Sequence, residues 1–125
     1  MINARDSVNT WRSRALSDTL FLHAHYRTHR FDRHFHEEYA IGVIEGGCQA
    51  FSYDRGRRLD MPRGSVALIS PGIVHVGWPG SEQGWSYRML YPSVASLGEA
   101  AADIFGTSDV VSLSDATANA SDRQL

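Results

Sequence analysis

From Thr19 to Tyr91 the hydrophobic residues come in short runs broken by turn residues about every eight to twelve positions, the rhythm of a β-sandwich or barrel. The pattern predicts strands at Leu20–Arg27, His34–Glu45, Cys48–Tyr53, Arg58–Met61, Ser65–Ser70, His75–Trp78 and Trp85–Tyr91. Gly46-Gly47, Asp54-Arg55-Gly56, Pro62-Arg63-Gly64, Pro71-Gly72 and Pro79-Gly80 supply the punctuation expected of tight turns. After Pro92 the period changes. Val94, Leu97, Ala101 and Ile104 recur at helical spacing, Ser93 stands where an N-cap belongs, and Gly106 stands where a left-handed C-terminal residue belongs. Asp109–Leu113 reads as one more extended piece, and Ser114 as the cap of a second helix. Residues 1–16 are expected to be a loosely held arm anchored by Trp11, 17–92 a barrel, and 93–125 a helical segment that opens a longer region.

Composition narrows the function classes. The 125 residues are enough for one domain with a real core, and 42% hydrophobic residues argue against wholesale disorder. A formal net charge of −2 gives no drive toward nucleic acid or an anionic membrane. The 12 basic residues are all arginine, and the Arg55, Arg57 and Arg58 cluster reads as a solvated hairpin tip. One cysteine excludes an intrachain disulfide, the first 14 residues lack the apolar core of a signal peptide, and no run is long enough to span a membrane. A soluble cytoplasmic protein with no membrane partner is the expectation.

The chemistry concentrates in histidine. On a strand, residues i and i+2 share a face, so His34 and His36 are expected to project together, with Glu38, Ala40 and Gly42. Phe35, Tyr39, Ile41 and Val43 would form the opposite, core-seeking face. His75 follows the Pro71-Gly72 turn and can enter from a neighbouring strand. Three convergent imidazoles make either a metal site, for zinc, iron, manganese or nickel, or a polar ligand pocket. Glu37 and Glu38 are the carboxylates nearest to such a site, and Glu37 has the wrong parity. Trp85, Tyr87, Met89 and Tyr91 share one face of the last strand and are either plain core or an aromatic ligand wall. His23 and His25 read as a solvent-facing polar stripe on an outer strand, and His29 as a loop residue.

Several of these runs resemble a known family. His34-x-His36, Ala40 and Gly47 are spaced as in the first cupin motif, and Gly64, Gly72 and His75 as in the second. The departures are Ala40 for the metal-binding Glu, Thr28 for the leading Gly, a proline displaced to Pro71, and Pro79 for the terminal Asn. More narrowly, His34–Gly42, Gly64–His75 and Gly84–Pro92 resemble the sensor domain of AraC-type transcription regulators. That resemblance implies a mainly β, cupin-like double-stranded β-barrel (jelly roll) followed by a C-terminal helix. It also implies a small-molecule effector, often a sugar or an aromatic compound, a homodimer, and DNA contact only through a helix-turn-helix domain missing from this chain.

The expected ligand wall is His34, His36, Tyr39, His75, Trp85, Tyr87 and Met89, with no catalytic residues and no resident cofactor. The rival reading is a mononuclear metal-dependent cupin enzyme using His34, His36 and His75. A purely structural barrel with hydrogen-bonded core histidines is the third.

Overall fold

A computed structural model describes residues 6–16, 18–53, 56–106 and 117–119. Among these the chain forms nine strands and one helix: β1 (Ser7–Trp11), β2 (Leu20–Tyr26), β3 (Phe31–His34), β4 (Ala40–Tyr53), β5 (Arg57–Pro62), β6 (Ser65–Ile69), β7 (His75–Pro79), β8 (Trp85–Tyr91), α1 (Val94–Phe105) and β9 (Thr117–Asn119). Every strand pair is antiparallel. The order β1-β2-β8-β4-β6-β9 makes one wall, while β5, β7 and then β3 continue from the far half of β4. The sheet therefore curls on itself into a half-barrel, as the strand rhythm predicts.

The long strand β4 is the departure that matters most. Gly46-Gly47 reads as a hairpin turn between two strands, yet the 14 residues of β4 run through it. The pairing with β8 slips between Ile44 and Gly46, so one extra residue enters β4 and bends it. Gly47 sits at φ +68°, and a Cβ there would lie 2.0 Å from the Gly84 carbonyl oxygen. Gly84 in turn has φ +75°, and its Cβ would fall 1.9 Å from the Tyr26 carbonyl oxygen. Three backbones meet at this corner, and only residues without side chains fit.

Beyond the bend, inward and outward faces follow from the register. Ala40, Ile44, Phe51, Met61, Ala67, Trp85, Tyr87 and Met89 belong to the buried core. Ile41 and Val43, expected to face that core, are half-buried, because the inward face of β4 is the one carrying Ala40, Gly42 and Ile44. The cause is the barrel: its interior takes the small residues, where a Cβ on Gly42 would already strike the Arg88 backbone and the Met89 sulfur.

Two strands lie where the sequence reads as loop. Ser7–Trp11, within the expected loose arm, pairs in register with Phe21–His25 as an exposed edge strand, and Trp11 stacks on Phe21 at 5.8 Å. Phe31–His34 pairs with β7. Helix α1 forms as expected. The Ser93 hydroxyl accepts from the Ser96 amide, and Gly106 closes the helix in the left-handed conformation. Asp18 accepts hydrogen bonds from the Ser93 and Ser96 hydroxyls, which holds its carboxyl below the usual range and ties the segment before β2 to the helix start. Asp109–Leu113 and Ser114 lie outside the described residues. The backbone at Thr117–Asn119 pairs with β6 as a strand, where the sequence predicts the start of a second helix.

The corner generates a stability prediction. Gly84→Ala adds both a left-handed strain and a collision with backbone, whereas Gly64→Ala, at φ +92° with nothing within 4 Å of a new Cβ, adds the strain alone. Chemical denaturation should show Gly84→Ala at least about 2 kcal/mol more destabilising than Gly64→Ala, which itself costs about 1–2 kcal/mol.

Candidate functional site: three imidazoles in the barrel

His34 closes β3 directly opposite His75, the first residue of β7. His36 is not on a strand, contrary to the expected His34–Glu45 run: β3 ends at His34 and β4 begins at Ala40. A hydrogen bond from the Gly72 amide to the His36 carbonyl oxygen, 2.9 Å, pins this link against the turn that precedes His75. The three rings still meet. Their centroids are 4.8 Å apart for His34–His36, 4.2 Å for His34–His75 and 5.1 Å for His36–His75. One nitrogen of each lies within 4.8 Å of the others.

The ring nitrogens are already sorted. His34 Nδ1 lies 2.6 Å from the Asp32 carbonyl oxygen, and His75 Nδ1 lies 2.8 Å from that of Ile73. A neutral imidazole must donate to a carbonyl, so each Nδ1 carries the proton and each Nε2 keeps its lone pair. Carbonyls holding the far nitrogen are the usual second support of a metal-binding histidine. This donor set fits a divalent ion. Zinc, iron, manganese or nickel held at about 2.1 Å by three nitrogens requires only a small closing of the rings.

The imidazoles line a cavity of about 70 Å³. Its apolar walls include Phe31, Phe51, Met61, Ile69 and Met89, and its remaining polar groups are Gln49, Tyr87 and Tyr91. Among the described residues no Asp, Glu, Lys or Arg lines it. Glu37 and Glu38 are exposed, and Ala40, at the place of the first cupin motif's Glu, presents a methyl group to the cavity. Of the expected wall, His34, His36, His75, Tyr87 and Met89 line the cavity. Tyr39 and Trp85 do not: both are wholly buried away from it. Trp85 packs against Tyr26, Phe31 and Tyr87, and its indole nitrogen is buried without a partner among the described residues. The sequence reading does not single out Gln49, and it puts Tyr91 on the wall-forming face without counting it in the wall. Tyr91 shares the face of Tyr87 and Met89, and Gln49 is a polar residue alternating with Phe51 and Tyr53, which was the available signal.

Burial sets the protonation states. Desolvation, reinforced by the neighbouring His34 and His36 and opposed by the bond to Ile73, pulls His75 down to about 4. Desolvation and His34 lower His36, while Glu38 works against them. Burial pushes Tyr91 up to about 12 and raises Tyr87 further, and the two hydroxyls are hydrogen-bonded to each other. Burial thus disfavours the charged forms of His36, His75, Tyr87 and Tyr91. His23 and His25 lie elsewhere, on the outer face of β2, where His23 contacts Glu45 at 2.9 Å and His25 bonds Ser86 at 2.7 Å. This is the polar stripe that the alternation predicts.

The His75 shift has a pH signature. Below the ordinary value of 6.5 the unfolded chain takes a proton that folded His75 refuses, so stability is full above about 6.5 and falls toward pH 4. Chelator-treated protein followed by urea denaturation should lose about 2–3 kcal/mol over that window, and His75→Gln should lose markedly less.

Comparison with known proteins agrees with this geometry. The AraC-like ligand binding domain family matches residues 17–123. No curated protein matches the chain. Among solved structures, an RmlC-like cupin family protein with a double-stranded β-helix fold from Methanocaldococcus jannaschii is similar with a TM-score of 0.63 at 8% identity, over 73% of this chain and 83% of its own. A Cupin 2 conserved barrel domain protein from Salinispora arenicola gives 0.62 at 15% identity, over 82% and 88%. A single-substitution variant of oxalate decarboxylase from Bacillus subtilis gives 0.58 at 14% identity, over 93% of this chain but 38% of that one. These likenesses place the fold among the cupins. With its barrel and a family match running almost from end to end, the chain belongs to the AraC-like ligand-binding domain family.

Proposed function

We propose that this domain senses a small molecule for a transcription regulator, and that the effector binds in the barrel cavity against His34, His36 and His75. The observation that carries the reading is a partly apolar cavity with convergent imidazoles and, among the described residues, no Asp, Glu, Lys or Arg on its walls. Apolar surfaces with a few convergent polar groups are the usual make-up of a small-molecule site. A sugar or an aromatic compound, the effectors that the family resemblance implies, would direct one polar edge toward the histidines. The regulator would work as a cytoplasmic homodimer. Among the described residues α1 is the one helix, so contact with DNA would fall to helix-turn-helix units outside them.

The convergence of three imidazoles also favours a divalent ion as part of this site. It keeps a second reading in play, a metal-dependent cupin enzyme. Two features favour the sensor. Among the described residues the cavity lacks a carboxylate or lysine to act as general base, and its tyrosines are held protonated by burial.

The test uses protein purified without a histidine tag. Elemental analysis should find about one divalent ion per chain in the native protein and almost none in His36→Ala. Calorimetry against sugars and aromatic acids should give saturable binding that weakens at least about tenfold in Tyr87→Ala, through lost cavity wall and the lost hydroxyl. Binding without consumption of the ligand supports the sensor, consumption supports the enzyme, and ligand binding indifferent to every wall substitution removes the pocket.

A further inference from the structure

Gln49 is the one amide in the cavity and is only 7% exposed. Its carboxamide borders the cavity and can offer both a donor and an acceptor there. Its position is specific. Gln49 pairs with Pro79 across β4 and β7, and the next inward positions along β7 are Gly77 and His75. The Gln49 Nε2 occupies the space beside Gly77, 2.7 Å from where a Cβ would be. The missing side chain at Gly77 thus gives the amide its seat, one inward step along β7 from the His75 ring.

The cavity is therefore divided by hydrogen-bond sense. On one side, His34 and His75 present Nε2 lone pairs, because their Nδ1 protons are committed to backbone carbonyls. Such a set of acceptors calls for a cation. On the other side are the Gln49 amide, which can donate, and the Tyr91 hydroxyl, which is hydrogen-bonded to Tyr87. Donors facing a cation are complementary to an oxygen anion bridging the two. Among the described residues no arginine or lysine lines the cavity to neutralise that anion, so its charge must be met by the ion that the histidines hold.

Resting on the metal-binding form of the proposed function, we propose that the effector presents a carboxylate, one oxygen directed to the histidine-held ion and the other taking a hydrogen bond from the Gln49 amide. Gln49 is then the specificity-determining residue of the site. A cavity of about 70 Å³ suits a head group of this size; it is about half the ~150 Å³ that holds a benzene molecule in a protein interior. The body of a larger acid would extend beyond it.

The experiment loads the chelated protein with Co²⁺ and titrates formate and benzoate, reading the visible absorption of the ion. Both should shift the spectrum saturably, and calorimetry should find neither binding to metal-free protein. Gln49→Leu should weaken both carboxylates about tenfold while leaving Co²⁺ affinity within about twofold, which also reports that the variant is folded. Gln49→Met serves as the second variant. With Zn²⁺ in place of Co²⁺, the side-chain amide resonances of Gln49 in the native protein should move on adding formate, a readout that needs no variant. Carboxylate affinity unchanged in both variants, or equal binding to metal-free protein, overturns the inference while leaving the metal centre standing. Failure to bind Co²⁺ at all overturns the metal centre itself, and this inference with it.

Discussion

The architecture depends on one close approach of backbones, where β4 bends at Gly46-Gly47 beside Gly84. On the near side of the bend β4 pairs with β6 and β8, and on the far side with β5 and β7. A single strand belonging to both halves of the barrel sets the angle between them, so the walls of the cavity are positioned by this corner. Ala40, at one end of β4, and Gln49 and Phe51, beyond the bend, all face the same hollow because the strand curls between them. A side chain at Gly47 or Gly84 would force these walls apart.

The site follows from that curvature and from burial. His34 and His75 stand opposite one another in register, and a turn-to-link hydrogen bond brings His36 beside them. Withdrawal from water favours the neutral forms of His36 and His75, and the carbonyls of Asp32 and Ile73 hold Nδ1 of His34 and His75. Neutral rings at close range do not repel, so the cluster is compatible with a folded core even before any ligand arrives. Protonation would reverse this, since three cations at these separations in a poorly hydrated cavity would oppose each other strongly.

What surrounds the imidazoles bears on function as much as the imidazoles themselves. The motif position that carries a carboxylate in many cupins is filled by Ala40, and the nearby Glu37 and Glu38 lie out in solvent. Among the described residues the interior is thus rich in aromatic and sulfur surface and without carboxylates. Tyr87 and Tyr91 extend the polar surface without adding charge. A domain of this kind is suited to holding a molecule, and the Asp18 contacts at Ser93, two residues beyond Tyr91, give the cavity wall a short connection to the helix.

Much of this was legible in the sequence, where local physics decides. Alternation with a period of two located β2, β6, β7 and β8 to within a residue or two, the Ser93 cap and Gly106 bounded α1, and the histidine spacing marked the site. These features depend on neighbours along the chain, so the chain reveals them. Tertiary structure decided the rest. Gly46-Gly47 is locally indistinguishable from a hairpin turn, and only its packing against Gly84 makes it a bend in a continuous strand. Ser7–Trp11 and Phe31–His34 are too polar to announce themselves, and become strands because neighbouring edges offer their backbones hydrogen bonds. Tyr39 and Trp85 look like ligand-facing aromatics in one dimension, yet curvature turns them away from the cavity. Curvature also admits Gln49 and Tyr91 to the cavity, because which residues share a hollow depends on contacts between strands distant in sequence.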